Sequence, residues 1–422
     1  MNSENVESYT AYIGIDWADK KHDICIQSDQ LKNDEYAVVS NKIEEVDAWA
    51  LDMYKRFGAP IAVAVELTKG PIVYALQKYD FFVIHPVNPT TLAKYRQAFK
   101  PSRAKDDPTD ALLAVELIRH YPDKFKPLKP QSKEIRALFT LTEHRRKLVG
   151  DRVRLTNRIR YAVKQYYPQI LEWFDRIDTM VFCDFLERWP TAAQARRARR
   201  STLTNFFHSY NIRRADLLKE RLNAIKRAEA LTEDDGVVIP HRLQALVLVD
   251  QLRVTLAAIK RYDDQIAELA ENHVDYKLFD CLPGAGPSLA PRLLVAFGED
   301  RERFSSASKL QMYSGIALVT ERSGKKCWVH WRWSCPTFLR QTFTEWASQT
   351  INKSFWAGAL YRQQRDKGCT HQAAVRSLAY KWIRILYRCW VTRTPYNESV
   401  YLKTLKRRGS PLMNQVAESV GT

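Results

Sequence analysis

The sequence predicts an α/β domain at the N-terminus, then a long helical stalk, then a mostly helical C-terminal third. Three observations carry this. Short apolar runs rich in Val, Ile and Ala alternate with helical stretches over residues 1–128. After Pro127 and Pro130 the apolar period changes to three and four, with no proline from Ser132 to about Gln165. The 422 residues also exceed what one ordinary core organises, so two or three domains are expected.

In chain order, Ala11–Asp16 and Asp23–Ile26 read as short strands flanking a polar turn, Asp19-Lys20-Lys21-His22. Tyr36–Ser40, Ile61–Leu67 and Phe81–Val87 are further strands, with helices at Glu44–Phe57 and at Pro71–Lys78. Strands mixed with helices imply a sheet with helices on its faces. In Ser132–Gln165 the stripe is Leu138, Leu141, Leu148, Leu155, Ile159 and Ala162, interrupted by Arg145 and Arg152. A second long helix, His241 to Ala270, carries Ala245, Val249, Leu252, Leu256, Ile259 and Ile266 at alternating four and three spacing. Two such helices predict an antiparallel coiled-coil stalk over residues 129–275, with an insert of shorter helices near 170–235. A helical domain at 276–396 and a tail at 397–422 complete the division.

The charge balance is unusual. Against 48 Asp+Glu stand 66 Lys+Arg, a net +18, which predicts a polyanionic partner, nucleic acid before a membrane surface. No stretch reaches 18 uncharged apolar residues, so a membrane span is excluded, and MNSENVESYT does not read as a signal peptide. Seven cysteines without a C-x-x-C pair predict reduced thiols in a cytoplasmic protein and argue against a zinc ribbon.

Strand alternation puts Gly14 and Asp16 on one face of the first strand. Ala62, Ala64 and Glu66 likewise share a face, so both carboxylates have small neighbours. In Lys105-Asp106-Asp107-Pro108-Thr109-Asp110, Asp107 and Asp110 stand three apart at the start of the helix Ala111–Ile118. Carboxylates brought together need a compensating cation, and hard oxygen ligands suit Mg²⁺ or Mn²⁺. The plain alternative is a helix N-cap and first-turn acids that favour the helix dipole.

Two features of the last third stand out. Leu282–Pro287 is a Gly turn before a helix, read either as a phosphate-holding loop or as a simple helix–helix connection. The loop Glu321-Arg322-Ser323-Gly324-Lys325-Lys326 sets a hydroxyl among cations that would draw a phosphate to it, although a Ser-Gly pair also makes an ordinary turn. Aromatic and Arg residues interleave through Lys381–Arg388, where they can stack bases, while Trp382, Ile385, Leu386 and Trp390 form a core stripe. His330 and His371 have no second His at ligand spacing.

YIGIDWADKKHD, AVELT and AKDDPTDA together resemble the RuvC-like, ribonuclease H-like nuclease domain of the insertion-sequence one-ten family of transposases. RFSSASKLQMYSGIALVTERSGKK is similar to the same family's C-terminal transposase domain. The resemblance covers residues near 10–120 and 278–395. It implies Asp16, Glu66, Asp107 and Asp110 as an Asp-Glu-Asp-Asp set of Mg²⁺ ligands, with Asp106 the near-miss, and Ser323 as recombinase nucleophile rather than Ser305, Ser306 or Ser314. It further implies an element-encoded guide (bridge) RNA that pairs with donor and target DNA, and composite sites formed between subunits. The coiled coil and the split active site themselves suggest a homo-oligomer, dimer or tetramer. Arg146, Arg154, Arg158, Lys164, Arg322, Lys325 and Lys326 are the expected nucleic-acid contacts. A junction nuclease using the carboxylates alone, or a non-catalytic DNA- or RNA-binding protein, are the competing readings.

Overall fold

A computed structural model describes residues 9–99, 107–324 and 326–413. The chain divides into two compact units, Met1–Pro130 and Gln131–Thr422.

The first unit is built on a five-stranded mixed sheet. Its elements are β1 (Ala11–Trp17), β2 (Lys21–Gln27), β3 (Glu35–Ser40), α1 (Ile43–Phe57), β4 (Ile61–Val65), α2 (Pro71–Leu76), β5 (Phe82–Pro86), α3 (Pro89–Phe99) and α4 (Asp107–His120). The strand order is β3-β2-β1-β4-β5. β1 to β3 form an antiparallel meander, while β4 and β5 run parallel to β1. Ile13, Ile15, Ile24, Val63 and Val65 pack on one face against Val46, Ala50 and Met53 of α1 and Ile72 and Val73 of α2. The opposite face has smaller side chains, Ala62, Ala64 and Cys25, and α4 covers it with Ala111, Ala114, Val115 and Leu117. Gly14 permits this approach: a Cβ there would land on the backbone carbonyl of Ala111.

β4 ends at Val65 rather than Leu67, so Glu66 lies just past the strand. The larger departures from the sequence reading are at β2 and at α3, a helix that it did not place. β2 starts at Lys21, so Lys21 and His22 belong to the strand rather than the turn. His22 is buried opposite Trp17, and its burial lowers its pKa. α3 carries no strong periodic signal, because Leu92 is its one buried residue. Its start is nonetheless fixed by Pro89 and by Asn88 Oδ1, which accepts from the Thr90 N–H at 2.8 Å.

The second unit is helical. α5 (Lys133–Lys164) leads to five shorter helices: α6 (Ile170–Trp173), α7 (Met180–Arg188), α8 (Ala192–Arg197), α9 (Arg200–Ser209) and α10 (Ala215–Arg227). α11 (Asp235–Glu271) then returns antiparallel to α5, since Arg145 pairs with Asp263 while Leu155 and Arg158 lie beside Gln251 and Val254. α11 begins before the expected His241 and passes through Pro240; Asp234 Oδ1 caps it at the Gly236 N–H, 2.8 Å. Each end of the pair enters a different core. Leu155, Ile159 and Ala162 meet Ala245, Leu248 and Leu252 among the insert's Trp173, Phe182, Phe185 and Phe207. Ile135 and Leu138 meet Ile266 and Ala270 in the C-terminal core.

That core is formed with α12 (Lys277–Asp280), α13 (Gly286–Phe297), α14 (Ala307–Tyr313), α15 (Thr337–Thr350), α16 (Phe355–Asp366), α17 (His371–Thr392) and α18 (Glu398–Arg407). Trp346, Trp356, Trp382 and Trp390 are fully buried in it, with indole N–H groups bonded to Pro283 O, Tyr396 Oη, Thr350 Oγ1 and Gly298 O. The segment read as a tail therefore includes a helix: Leu405 and Leu412 are buried in this core, an apolar contribution too sparse to stand out in sequence. A hairpin of β6 (Val319–Ser323) and β7 (Lys326–His330) separates α14 from α15.

Candidate nuclease and transposase sites

The sheet brings the first two carboxylates to one end. Ile15 is in register with Val65 on parallel strands, so Asp16 and Glu66 follow side by side at the C-terminal ends of β1 and β4. Both are half-buried. α4 runs antiparallel to β1. Arg119, near its C-terminus, sits over the Tyr12 ring and bonds Gln27, while Ala111 and Val115 lie against Gly14. The α4 N-terminus, bearing Asp107 and Asp110, therefore points toward the Asp16 end. Asp107 is half-buried, and Asp110 is 2% exposed.

Two residues that the sequence reading did not assign to a site join this end. Asp23 is the antiparallel partner of Asp16, is buried, and pairs with Lys21 Nζ at 3.2 Å. Arg96 of α3 donates from Nη2 to Asp110 Oδ2 at 2.6 Å. Its Nε is 2.6 Å from Oδ1, close enough for an ion pair but off the line of a hydrogen bond, and Oδ1 is left without a donor. Asp23 was legible only as an acid starting a strand, and Arg96 gave no signal. Among the described residues no three His, Cys, Asp or Glu side chains stand close enough to hold a metal ion. The chemistry of the donors still suits a hard divalent cation: Asp16 and Glu66 are acids at two adjacent strand ends, and Asp110 would join them by exchanging the Arg96 guanidinium for the ion. Asp106 lies outside the described residues.

Ser323 closes β6. The stretch read as a loop is the end of the hairpin, and Gly324, with φ 56°, supplies the left-handed residue that a two-residue turn requires. Ser323 pairs directly with Lys326. Cross-strand partners share a face, so one face carries Ser323 and Lys326, then Glu321 and Trp328, then Val319 and His330. Arg322 opposes Cys327 on the other face, so of the two described cations Lys326 is the one beside the hydroxyl. His330 Nε2 lies 2.8 Å from Glu321 Oε1, and that carboxylate raises the His330 pKa. Ser323 is exposed, whereas Ser314 is buried and bonded to Gln311 O. Lys325 lies outside the described residues.

Family comparison agrees with both ends. Residues 13–168 match a transposase family model of the Asp-Glu-Asp-Asp type, and residues 276–362 match the model described as "Transposase IS116/IS110/IS902 family". The chain is 30% identical over 423 residues to the mini-circle candidate transposase for IS117 of Streptomyces coelicolor, covering 97% of this chain and 99% of that protein. It is 27% identical over 396 residues to the uncharacterized 44.8 kDa protein of insertion element IS116 of Streptomyces clavuligerus, covering 89% and 93%. The chain belongs to the IS110 family of insertion-element transposases.

For a transposase of this family, the structure sorts the expected nucleic-acid contacts. Arg158 and Lys164 are exposed on α5. Arg154 is exposed but pairs with Asp151, and Arg146 bonds Glu143 Oε1 at 2.9 Å and Gln341 Oε1 at 3.0 Å. The insert adds exposed Arg196, Arg197, Arg199 and Arg200. The Gly turn is a helix–helix connection: a Cβ on Gly284 would meet the Gln349 carbonyl oxygen at 2.9 Å. Among the described residues no helix is long and apolar enough to cross a membrane.

Proposed function

We propose that this transposase cuts and rejoins DNA through a phosphoserine intermediate at Ser323, assisted by the carboxylates of the first unit. The observation that carries the proposal is the Ser323–Lys326 pair, an exposed hydroxyl and an ammonium on one face beside a tight turn. Lys326 attracts the scissile phosphate and stabilises the alkoxide. A Ser323 Oγ–phosphorus bond forms as the bond to the leaving sugar oxygen breaks. At this exposed position the hydroxyl proton passes to solvent and the leaving sugar oxygen takes one from solvent, and attack by a sugar hydroxyl from the exchanging strand reverses these steps.

The first unit is proposed to be RuvC-like, with Asp16, Glu66, Asp107 and Asp110 holding Mg²⁺, or Mn²⁺. The family's Asp-Glu-Asp-Asp model supports a divalent-metal dependence. When bound, the ion supplies a Lewis acid for phosphate oxygens. Donor and target DNA pairing with a bridge RNA, a homo-oligomer, a coiled-coil stalk and a cytoplasmic, nucleoid-associated location complete the proposal. The net charge of +18 supports a polyanionic partner.

The test is to denature the reaction in mid-course and locate the adduct by mass spectrometry. DNA attached at Ser323 supports the assignment, and an adduct on another residue ends it.

A further inference from the structure

The tryptophans of the C-terminal core and those of the hairpin region differ in exposure. Trp346, Trp356, Trp382 and Trp390 are fully buried, which removes the Lys381–Arg388 helix from consideration as a tryptophan stacking surface. Trp328 and Trp333 are the opposite, 50% and 78% exposed, and among the described residues neither has a ring partner. The Trp331 ring is covered by the Arg376 guanidinium.

Trp328 has the more informative position. It shares the hairpin face of Ser323, diagonally across from it, in the next pair on that face and two register positions from the tip pair. Diagonal neighbours on a two-stranded ribbon stand about 7–8 Å apart. That is close to the span from a phosphorus to its own base. Lys326 lies beside Ser323, and Glu321, the acid of this face, is engaged by His330. The face thus presents a phosphate-attracting tip followed by a bare indole, charge and ring in the order that one nucleotide presents phosphate and base. Base–aromatic stacking needs only a free π-face and an unpaired base.

We propose that Trp328 is a stacking platform for an unpaired DNA nucleotide adjoining the phosphate at Ser323. The proposal rests on the Ser323 reading for its place in the reaction. Stacking holds the base out of the duplex, which fixes the phosphate at the hydroxyl and favours strands already opened for exchange.

The experiment uses full-length protein in a Ser323→Ala background, so that no chemistry intervenes. Its probes are a 12-nucleotide single-stranded oligothymidylate and a duplex of the same length, followed by fluorescence anisotropy. Trp328→Ala should weaken single-strand binding about five- to a hundredfold. Duplex binding should change less than about twofold, because no phosphate contact is lost. Trp328→Phe should retain most of the single-strand affinity. Amide hydrogen exchange over residues 319–330 that matches the parent in both variants establishes that the exposed hairpin still folds. Photocrosslinking of 5-iododeoxyuridine in the oligonucleotide should label the peptide containing Trp328. Equal single-strand binding by Trp328→Ala, or equal loss on both probes, overturns the platform. Adduct trapping in the Ser323-containing protein reports separately: an adduct elsewhere removes the nucleophile but leaves the stacking result standing, and an adduct at Ser323 without a Trp328 effect does the reverse.

Discussion

The two candidate sites are built in opposite ways. The carboxylate end of the first unit rests on a sheet covered on both faces, with Asp110 and Asp23 buried and already paired to Arg96 and Lys21. Ser323 stands at the tip of an exposed two-stranded hairpin, whose strand residues make few burials. One site is held by core packing and so is coupled to folding. The other is held by one turn and is free to meet a large ligand. Substitutions should therefore separate activity from stability at the hairpin and entangle them at the sheet.

The largest expected contrast uses the two chemical residues themselves. Ser323→Ala should abolish covalent adduct and strand transfer while shifting unfolding free energy by no more than about 0.5 kcal/mol, the usual range for a surface position. Asp16→Asn should also abolish strand transfer while retaining nucleic-acid binding. Near-normal recombination in either variant removes that residue from the chemistry.

Glycines sharpen the comparison further. Gly14→Val places a side chain against the Ala111 backbone and should cost about 1–3 kcal/mol or more, or prevent folding, because neither β1 nor α4 can yield. Gly324→Ala meets open space and pays only for its positive φ, about 1–2 kcal/mol, confined to the hairpin. Denaturant unfolding of both variants checks the order, and reversal would mean that the turn, not the sheet, limits stability.

Arginines give a smaller version. Arg96→Gln leaves the Asp110 carboxylate buried without its cation and should destabilise by about 1–3 kcal/mol, whereas Arg322→Gln at the exposed hairpin should be near neutral. If Asp110 belongs to a cation site, millimolar Mg²⁺ should raise the melting temperature of Arg96→Gln more than that of the parent. An equal rise in both would mean that Arg96 and the ion do not compete for Asp110.

The same difference decides what could be read from sequence. The sheet was legible because Ile13, Ile15, Val63 and Val65 alternate with small residues, and alternation is what a two-faced strand imposes. The long helices were legible from their periodic stripes. The β6–β7 hairpin was not, because its exposed residues have no buried face to enforce a pattern, and Arg322 and Lys326 could not be sorted until pairing put them on different faces. Arg96 was invisible for another reason: its partner is fourteen residues away, through a fold-dependent juxtaposition of α3 and α4. Gly14 was read as a small neighbour of Asp16, and the structure uses it for the close approach of α4.

The smallest expected effect applies the distinction to the charges of α5. Four cations look equivalent in sequence, yet Arg146 is already bonded to Glu143 and Gln341 and Arg154 to Asp151, whereas Arg158 and Lys164 face water. A cation committed inside the protein must break that bond before it neutralises a phosphate, so it releases few counterions on binding. Arg158→Gln with Lys164→Gln should lower the slope of log affinity against log salt by up to about 0.9 per contact on duplex DNA and about 0.7 on a single strand. Arg146→Gln should leave the slope nearly unchanged and instead lower stability, through loss of its bridge to α15. Measuring affinity at four or five salt concentrations for each variant decides the matter. Equal slope changes in the two variants would show that binding rearranges the Arg146 network, and no change in either would assign the nucleic-acid face to other elements, such as the Arg196–Arg200 run of the insert.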